Sequence, residues 1–307
     1  MSNDIRLLMI GAMYENGGNT THRFLDGHPQ MYVYPFESQI GTRMVIDHLS
    51  SMYPVKYRWP VFALDATPYQ DYKAIIDEEG KVRARTPNVS KFRHMPMDFN
   101  DDERCEIYQN YVKQSGRSRG DNVAAFFRAT FDAWKDYKRT GEQNVYVGYS
   151  PIIGIDGDKI LEDLPNAHVL HVVRNPWSAY ADTKKRPVPL SLNHYMLGWT
   201  MNQYYALMFQ QKYPGRFHIV RAEDVMGDSK KTLGALCEKL GLETADSLKT
   251  PTWNGEALQE VYPWGTIRKA NPEANKATAE ELSAVEREAI RQATFQYLDV
   301  FDYKNFL

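Results

Sequence analysis

Apolar residues fall along this chain in two patterns that alternate: short continuous runs, and residues spread at helical spacing. Ile5 to Ile10 is a short apolar run, and His168 to Val173 is a second, of the length expected for a strand buried on both faces. Val123, Phe126, Phe127, Phe131 and Trp134 instead recur on one helical face, as do Leu233, Leu236 and Leu240. Read in order, the pattern predicts a strand at Ile5 to Ile10, a helix entered at Asn19 to Thr21, and a strand within Gln30 to Ser38. A helix beginning at Ser38 (QIGTRMVIDHLSSMY) follows, then helices near Asp71 to Glu79, Asp101 to Lys113 and Asn122 to Arg139. The later part gives the strand NVYVGYSP, the helix DGDKILEDLP, the strand at His168 to Val173 and a long helix from Leu190 to Tyr213. The strand RFHIVR, the helix SKKTLGALCEKLGL and a last helix near Ala279 to Tyr297 complete it.

Strands alternating with helices predict an α/β fold: three layers, with a central, mainly parallel sheet flanked by helices. The stretch 54–139 breaks the rhythm with prolines and aromatics, so it is expected to be a helical or irregular cap, or a substrate-side insertion, in a single domain spanning 1–307. Nothing repeats at a fixed period, which excludes a solenoid.

Charge and composition narrow the function classes. A formal net charge of −2 lacks the basic excess of a nucleic-acid coat, so no nucleic-acid partner is expected. The basic clusters at Lys184 to Arg186, at Arg117 and Arg119, and at Arg268 and Lys269 read first as solvated surface. Only Cys105 and Cys237 are present, and neither Cys nor His falls in a metal-ligand spacing, so no metal site is expected. Cys237 lies on the apolar face of its helix, as a buried free thiol in a reducing compartment would. No run approaches the roughly 20 apolar residues that span a bilayer. MSNDIR leads straight into the first strand without a signal peptide, so a soluble, cytoplasmic protein is expected.

Candidate chemistry begins where the first strand ends. A glycine-rich turn through Gly17 and Gly18 opens a helix at Asn19, Thr20 and Thr21. Unpaired N–H groups at a helix start, with the positive end of its dipole, suit an anion, and glycines let that anion approach the main chain. The ATPase version of this motif carries Lys before the Ser/Thr; here that place is Asn19. A nucleotide without ATP hydrolysis is one reading, and a βα turn that binds nothing is the other. The second candidate is Arg174, at the carboxyl end of the strand His168 to Val173, where parallel sheets place their ligands.

Three blocks together resemble the sulfotransferases that use 3′-phosphoadenosine 5′-phosphosulfate (PAPS), closest in pattern to bacterial and carbohydrate-type members. GGNTTHRFLDGHPQ resembles the family's 5′-phosphosulfate loop, and LPNAHVLHVVRNPWSAYADTKKRP its 3′-phosphate motif. RFHIVRAEDVMGDSKKTLGALCEKLGLE is similar to the strand, Arg-x-Glu-Asp turn and helix that follow. The resemblance implies a P-loop-like fold, PAPS as sulfuryl donor, adenosine 3′,5′-bisphosphate as product, and a glycan, lipid or small-molecule acceptor. It places Gly17, Gly18, Asn19, Thr20 and Thr21 on the 5′-phosphosulfate and Arg174 on the 3′-phosphate, with Arg268 and Lys269 in a loop over the nucleotide.

Two departures from the family accompany these assignments. The family serine eight residues beyond the arginine corresponds to Asp182, so Thr183 is the expected replacement. The family's Lys or Arg ahead of the glycines corresponds to Gly17, leaving Arg23 or Lys269 to supply the cation. Glu37 resembles the glutamate that serves as general base in several carbohydrate sulfotransferases; its other reading is a cap for the helix at Ser38. His22 and Phe36 are placed on the acceptor side, with His94 as a second candidate base. Two other readings stay open: a nucleotide kinase with a degenerate loop, and a nucleotide-binding protein of the same fold without transfer activity.

Overall fold

A computed structural model describes residues 4–79, 97–258 and 272–307. Its centre is a five-stranded sheet in the order β2-β3-β1-β4-β5, made of β1 (Leu7–Ala12), β2 (Met31–Val33), β3 (Val145–Tyr149), β4 (His168–Val173) and β5 (Phe217–Arg221). Every pairing in it is parallel. The alternation of β1 decides the layers. Leu7 and Met9 join a cluster with Phe126, Phe127, Ile160 and Val169, while Leu8, Ile10 and Ala12 join one with Leu25, Val147, Leu170, Leu233 and Cys237. Successive side chains of a strand point to opposite faces, so a continuous apolar run is what a strand covered on both sides requires.

Helix boundaries follow local capping chemistry. The helix α1 (Gly18–Leu25) leaves the end of β1, and α2 (Pro68–Ile75) is started by Thr67 and Gln70 in a reciprocal capping box. Next come α3 (Asp101–Ser115) and α4 (Arg119–Ala133). α4 starts earlier than its apolar face predicts, because Ser118 and Asp121 cap each other's backbone N–H. It also ends earlier, at Trp134, whose indole N–H bonds Asp136 and whose backbone bridges Phe99. After α5 (Gly157–Asp163) come α6 (Pro176–Lys184), begun by Asn175 and Pro176, and α7 (Leu192–Lys212), capped by Ser191. The last are α8 (Ala222–Gly227), α9 (Ser229–Lys239), α10 (Pro272–Glu280) and α11 (Ala284–Leu298). Ser283 and Glu286 form a capping box that separates the final two, so the single terminal helix expected from the sequence is split.

The helix expected from Ser38 does not form; residues 38–54 run through turns, bends and irregular backbone. Gly41 lies so close to the neighbouring chain that a Cβ there would sit 1.8 Å from the Val55 carbonyl oxygen. Thr42 Oγ1 bonds the Val61 carbonyl, and Asp47 Oδ1 accepts from the Leu49 N–H at 2.9 Å. Side chains that bond nearby backbone in this way compete with the helical ladder. Arg58, fully buried, ties the segment to the turn after β3 through Asp156 at 2.7 Å and Asp47 at 2.8 Å. The strand expected within Gln30 to Ser38 is cut to three residues, Met31–Val33.

Candidate functional site

The sheet order makes β1 and β4 neighbours whose following connections lead to opposite sides, and ligands of open α/β sheets bind in such a crevice. Their register pairs Ala12 with Val172, so the turn after β1 and the turn after β4 emerge side by side. Two left-handed residues shape the first turn, Glu15 at φ 58° and Gly17 at φ 84°. Holding a non-glycine residue there costs about 1–3 kcal/mol, which the surrounding structure must over-determine. Arg174 does part of that, since its Nη1 donates to the Glu15 carbonyl at 2.9 Å.

Asn16 joins the two turns. Its Oδ1 accepts from the Arg174 backbone N–H at 2.9 Å, while its Nδ2 donates to the Tyr14 carbonyl at 2.9 Å and to the Tyr195 hydroxyl at 3.0 Å. The residue is 1 % exposed, so these bonds are made away from solvent. As a single Asn in a loop, it carries no periodic or motif signal in the sequence.

Gly17 and Gly18 have separate roles. Gly17 takes the left-handed conformation that precedes α1, and the Thr21 N–H returns to its carbonyl at 2.9 Å. The N–H groups of Gly18, Asn19 and Thr20 therefore have no intrahelical acceptor. A Cβ on Gly18 would lie 2.5 Å from the Tyr149 ring and 2.7 Å from Ala12 Cβ, so only glycine lets α1 start this close to the sheet. Asn19 and Thr20 are half-buried, whereas Thr21 is buried. This backbone cradle fits a phosphate or sulfate group.

Arg174 is 13 % exposed and firmly held. Besides the Glu15 carbonyl, Nη1 meets Asp182 Oδ2 at 2.8 Å and Nε donates to Asn275 Oδ1 at 2.9 Å. Asn275 also donates to Glu223 Oε1 at 2.9 Å, as does Asn175 Nδ2 at the same distance. Glu223, in the first turn of α8, thus ties Asn175 to α10 and to the Tyr303 hydroxyl at 2.7 Å. Thr183 faces inward: it is fully buried and its hydroxyl donates to the Ala179 carbonyl at 2.8 Å. Adjacent helical residues point about 100° apart, so Asp182, not Thr183, takes the side facing Arg174.

Arg23 lies behind the cradle. It is 1 % exposed, with Nη2 donating to the Tyr34 carbonyl at 2.8 Å and Nη1 3.9 Å from Asp26. Its charge is spent within the fold, away from solvent. His22 is equally buried, and burial, reinforced by the Arg23 charge, holds its pKa well below the ordinary histidine value. It stays neutral. His94, Arg268 and Lys269 lie outside the described residues.

Glu37 is half-buried on the other side of the cradle. The next residue, Ser38, donates its N–H to the Tyr149 carbonyl at 2.5 Å, and the Tyr149 ring packs on Gly18. With no helix at Ser38, the capping reading of Glu37 lapses. Its Oε2 accepts from Gln39 Nε2 at 3.2 Å, and Gln39 Oε1, buried beside it, has no partner among the described residues. Burial, together with the Glu37 charge, pushes the Tyr14 hydroxyl up to about 12 against the opposing pull of Arg186. Phe36 is half-buried and packs against the sheet-side core, while Tyr34, Trp59 and Trp177 are fully buried. Those three aromatics belong to the core.

Arg186 is the cation that the sequence left among solvated charges. Its guanidinium stands 4.9 Å from the Tyr14 ring centre and 3.9 Å from Glu15, and it remains 39 % exposed. It acts electrostatically on Tyr14, Tyr57 and Tyr149, the same three tyrosines that feel Glu37. The two charges thus bear on these tyrosines with opposite sign, Arg186 lowering and Glu37 raising their pKa values.

A parallel 2-3-1-4-5 sheet with a glycine-rich turn into a helix after its central strand and an arginine after the neighbouring strand defines a P-loop-like α/β protein. The chain belongs to the sulfotransferase family: the family's sequence profile matches residues 9–246. No curated protein sequence matches it. Among solved structures it is similar to the sulfotransferase domain of the Synechococcus PCC 7002 olefin synthase, at 19% identity and a TM-score of 0.55, covering 97% of this chain and 94% of that one. Sulfotransferase STF9 from Mycobacterium avium is also similar, at 12% identity and a TM-score of 0.43 over 98% of this chain and 78% of that one. Among the described residues no helix is long and apolar enough to cross a membrane, and no group of three or more His, Cys, Asp or Glu is placed to hold a metal ion.

Proposed function

We propose that this chain transfers a sulfuryl group from PAPS to a hydroxyl, or secondarily an amine, of a glycan, lipid or small-molecule acceptor. The observation that carries the reading is the Asn16 bridge, which fixes a glycine cradle and an arginine side by side at the sheet's switch point. A donor with anions at both ends of a nucleotide needs two such sites. The cradle at Gly17 to Thr21 would hold the 5′-phosphosulfate and Arg174 the 3′-phosphate. PAPS supplies the activated sulfuryl group. Glu37 takes the proton of the acceptor hydroxyl as its oxygen bonds to sulfur and the bond from sulfur to the bridging oxygen breaks. Sulfuryl transfer, like phosphoryl transfer, rests on positioning and charge stabilisation, and Arg186 supplies the positive charge that Gly17 lacks. Tyr14 and Phe36, both half-buried, line the acceptor side.

Calorimetry with adenosine 3′,5′-bisphosphate, ADP and ATP tests the donor. Preferential binding of the bisphosphate is expected; preference for ATP would return the chain to a kinase-like reading. Turnover of radiolabelled PAPS against a panel of hydroxyl acceptors then tests transfer, and tight bisphosphate binding with no transfer to any acceptor would mark a nucleotide-binding protein.

A further inference from the structure

We infer that Asp182 sets selectivity at the donor's 3′ position by holding Arg174 as an internal counter-anion; the inference rests on the donor-site reading above. Two further bonds, from Nη1 to the Glu15 carbonyl and from Nε to Asn275, hold the Arg174 guanidinium beside this carboxylate. Asp182 is fixed in turn by its place on α6 and by Lys185, 3.3 Å from its Oδ1, which is itself paired with Glu281 at 2.8 Å. The pair is only partly screened, with Asp182 25 % exposed and Arg174 13 %.

A phosphate arriving at Arg174 thus meets a carboxylate one ion-pair length behind it, and like charges at that separation oppose each other. A ribose hydroxyl meets no such repulsion and can donate to the same carboxylate, as the ribose of NAD does to the acidic residue of dinucleotide folds, which rejects the phosphorylated form. Asp182 therefore reduces what the 3′-phosphate gains from Arg174 and leaves a 3′-hydroxyl nucleotide nearly untouched. It weakens retention of adenosine 3′,5′-bisphosphate, the reaction's own product, without altering the cradle at the 5′ end.

Calorimetry with adenosine 3′,5′-bisphosphate and AMP, on the wild type, Asp182→Asn, Asp182→Ser and Arg174→Ala, tests this. The wild type is expected to prefer the bisphosphate by less than about tenfold, and either Asp182 variant to raise that preference by about tenfold or more through tighter bisphosphate binding. AMP affinity should move less than about threefold, and Arg174→Ala should remove the preference. Unchanged or weaker bisphosphate binding in both Asp182 variants, with AMP affinity retained, overturns the inference and leaves the donor reading intact. An equal loss of both ligands in both variants overturns it in favour of a packing role. Failure of the wild type to bind either nucleotide removes the donor reading, and this inference with it.

Discussion

The Asn16 side chain accepts a hydrogen bond from the backbone N–H of Arg174, so the turn after the central strand and the turn after its neighbour act as one unit. Arg174→Ala should weaken adenosine 3′,5′-bisphosphate binding by up to about 1.4 kcal/mol, or tenfold, less than the usual worth of a charge-assisted hydrogen bond because Asp182 offsets part of it. Asn16→Ala, although its side chain is buried, should also weaken binding by leaving the Arg174 N–H unpaired. Because both changes strike the same unit, the double variant should lose less than the two single losses combined, with a coupling of at least about 0.5 kcal/mol. Strictly additive losses would show that the two turns bind independently.

Glu37 and Arg186 act, in this reading, on the step and not on nucleotide binding. Glu37→Gln should keep bisphosphate affinity and lower turnover by roughly 10²–10⁴-fold. Arg186→Ala should likewise keep affinity for the bisphosphate, which has no sulfuryl group, and lower turnover by roughly 10²–10³-fold, with Arg186→Lys recovering part of it. A normal rate in Arg186→Ala would mean that the cation comes from elsewhere.

Much of this architecture was legible in the sequence, for particular reasons. The run at β4 could be read as doubly buried because all its alternate positions are apolar or aromatic, and Arg174 follows it directly. The turn into α1 is legible in two adjacent glycines that precede Asn19 and two threonines. Other features depend on tertiary geometry that no local pattern encodes. Residues 38–54 have enough apolar positions for a helix, yet Gly41 and the bonds of Thr42 and Asp47 favour turns. Asp182 and Thr183 are neighbours in sequence, and only the phase of α6 decides which faces Arg174. Arg186 read as surface because its partners, Tyr14 and Glu15, lie far back in the chain.

Gly18 offers a test of the cradle's construction. Alanine is favoured over glycine within a helix by about 1 kcal/mol, so a tolerated Gly18→Ala would stabilise the protein. Here the new Cβ would meet Ala12 Cβ on the sheet at 2.7 Å and the Tyr149 ring at 2.5 Å, and a strand Cβ has little freedom to yield. Overpacking of this kind costs about 1–3 kcal/mol, which outweighs the propensity gain. Gly18→Ala is therefore expected to lower Tm and weaken bisphosphate binding together, because α1 must shift off the sheet. A raised Tm with unchanged binding would mean that α1 does not need this close approach.

His171 predicts how stability depends on pH. On β4 and 1 % exposed, it is held by Gln203 Oε1 at 2.9 Å from Nε2, while Nδ1 has no partner among the described residues. Burial lowers its pKa to about 4, against the ordinary 6.5. Between those values the unfolded chain binds a proton that the folded one refuses, so stability rises with pH across that window. His171's contribution is complete above the unfolded value and is lost as pH falls toward 4, by up to about 1.4 kcal/mol per pH unit and about 3 kcal/mol in all. His22, His28, His168 and His218 are lowered as well, which steepens the wild-type profile. Urea unfolding at several pH values between 7 and 4.5 should show the decline. His171→Leu costs stability at every pH because Gln203 loses its partner, but its slope should be shallower by one histidine's share. Parallel wild-type and variant slopes would mean that His171 is protonated as readily folded as unfolded.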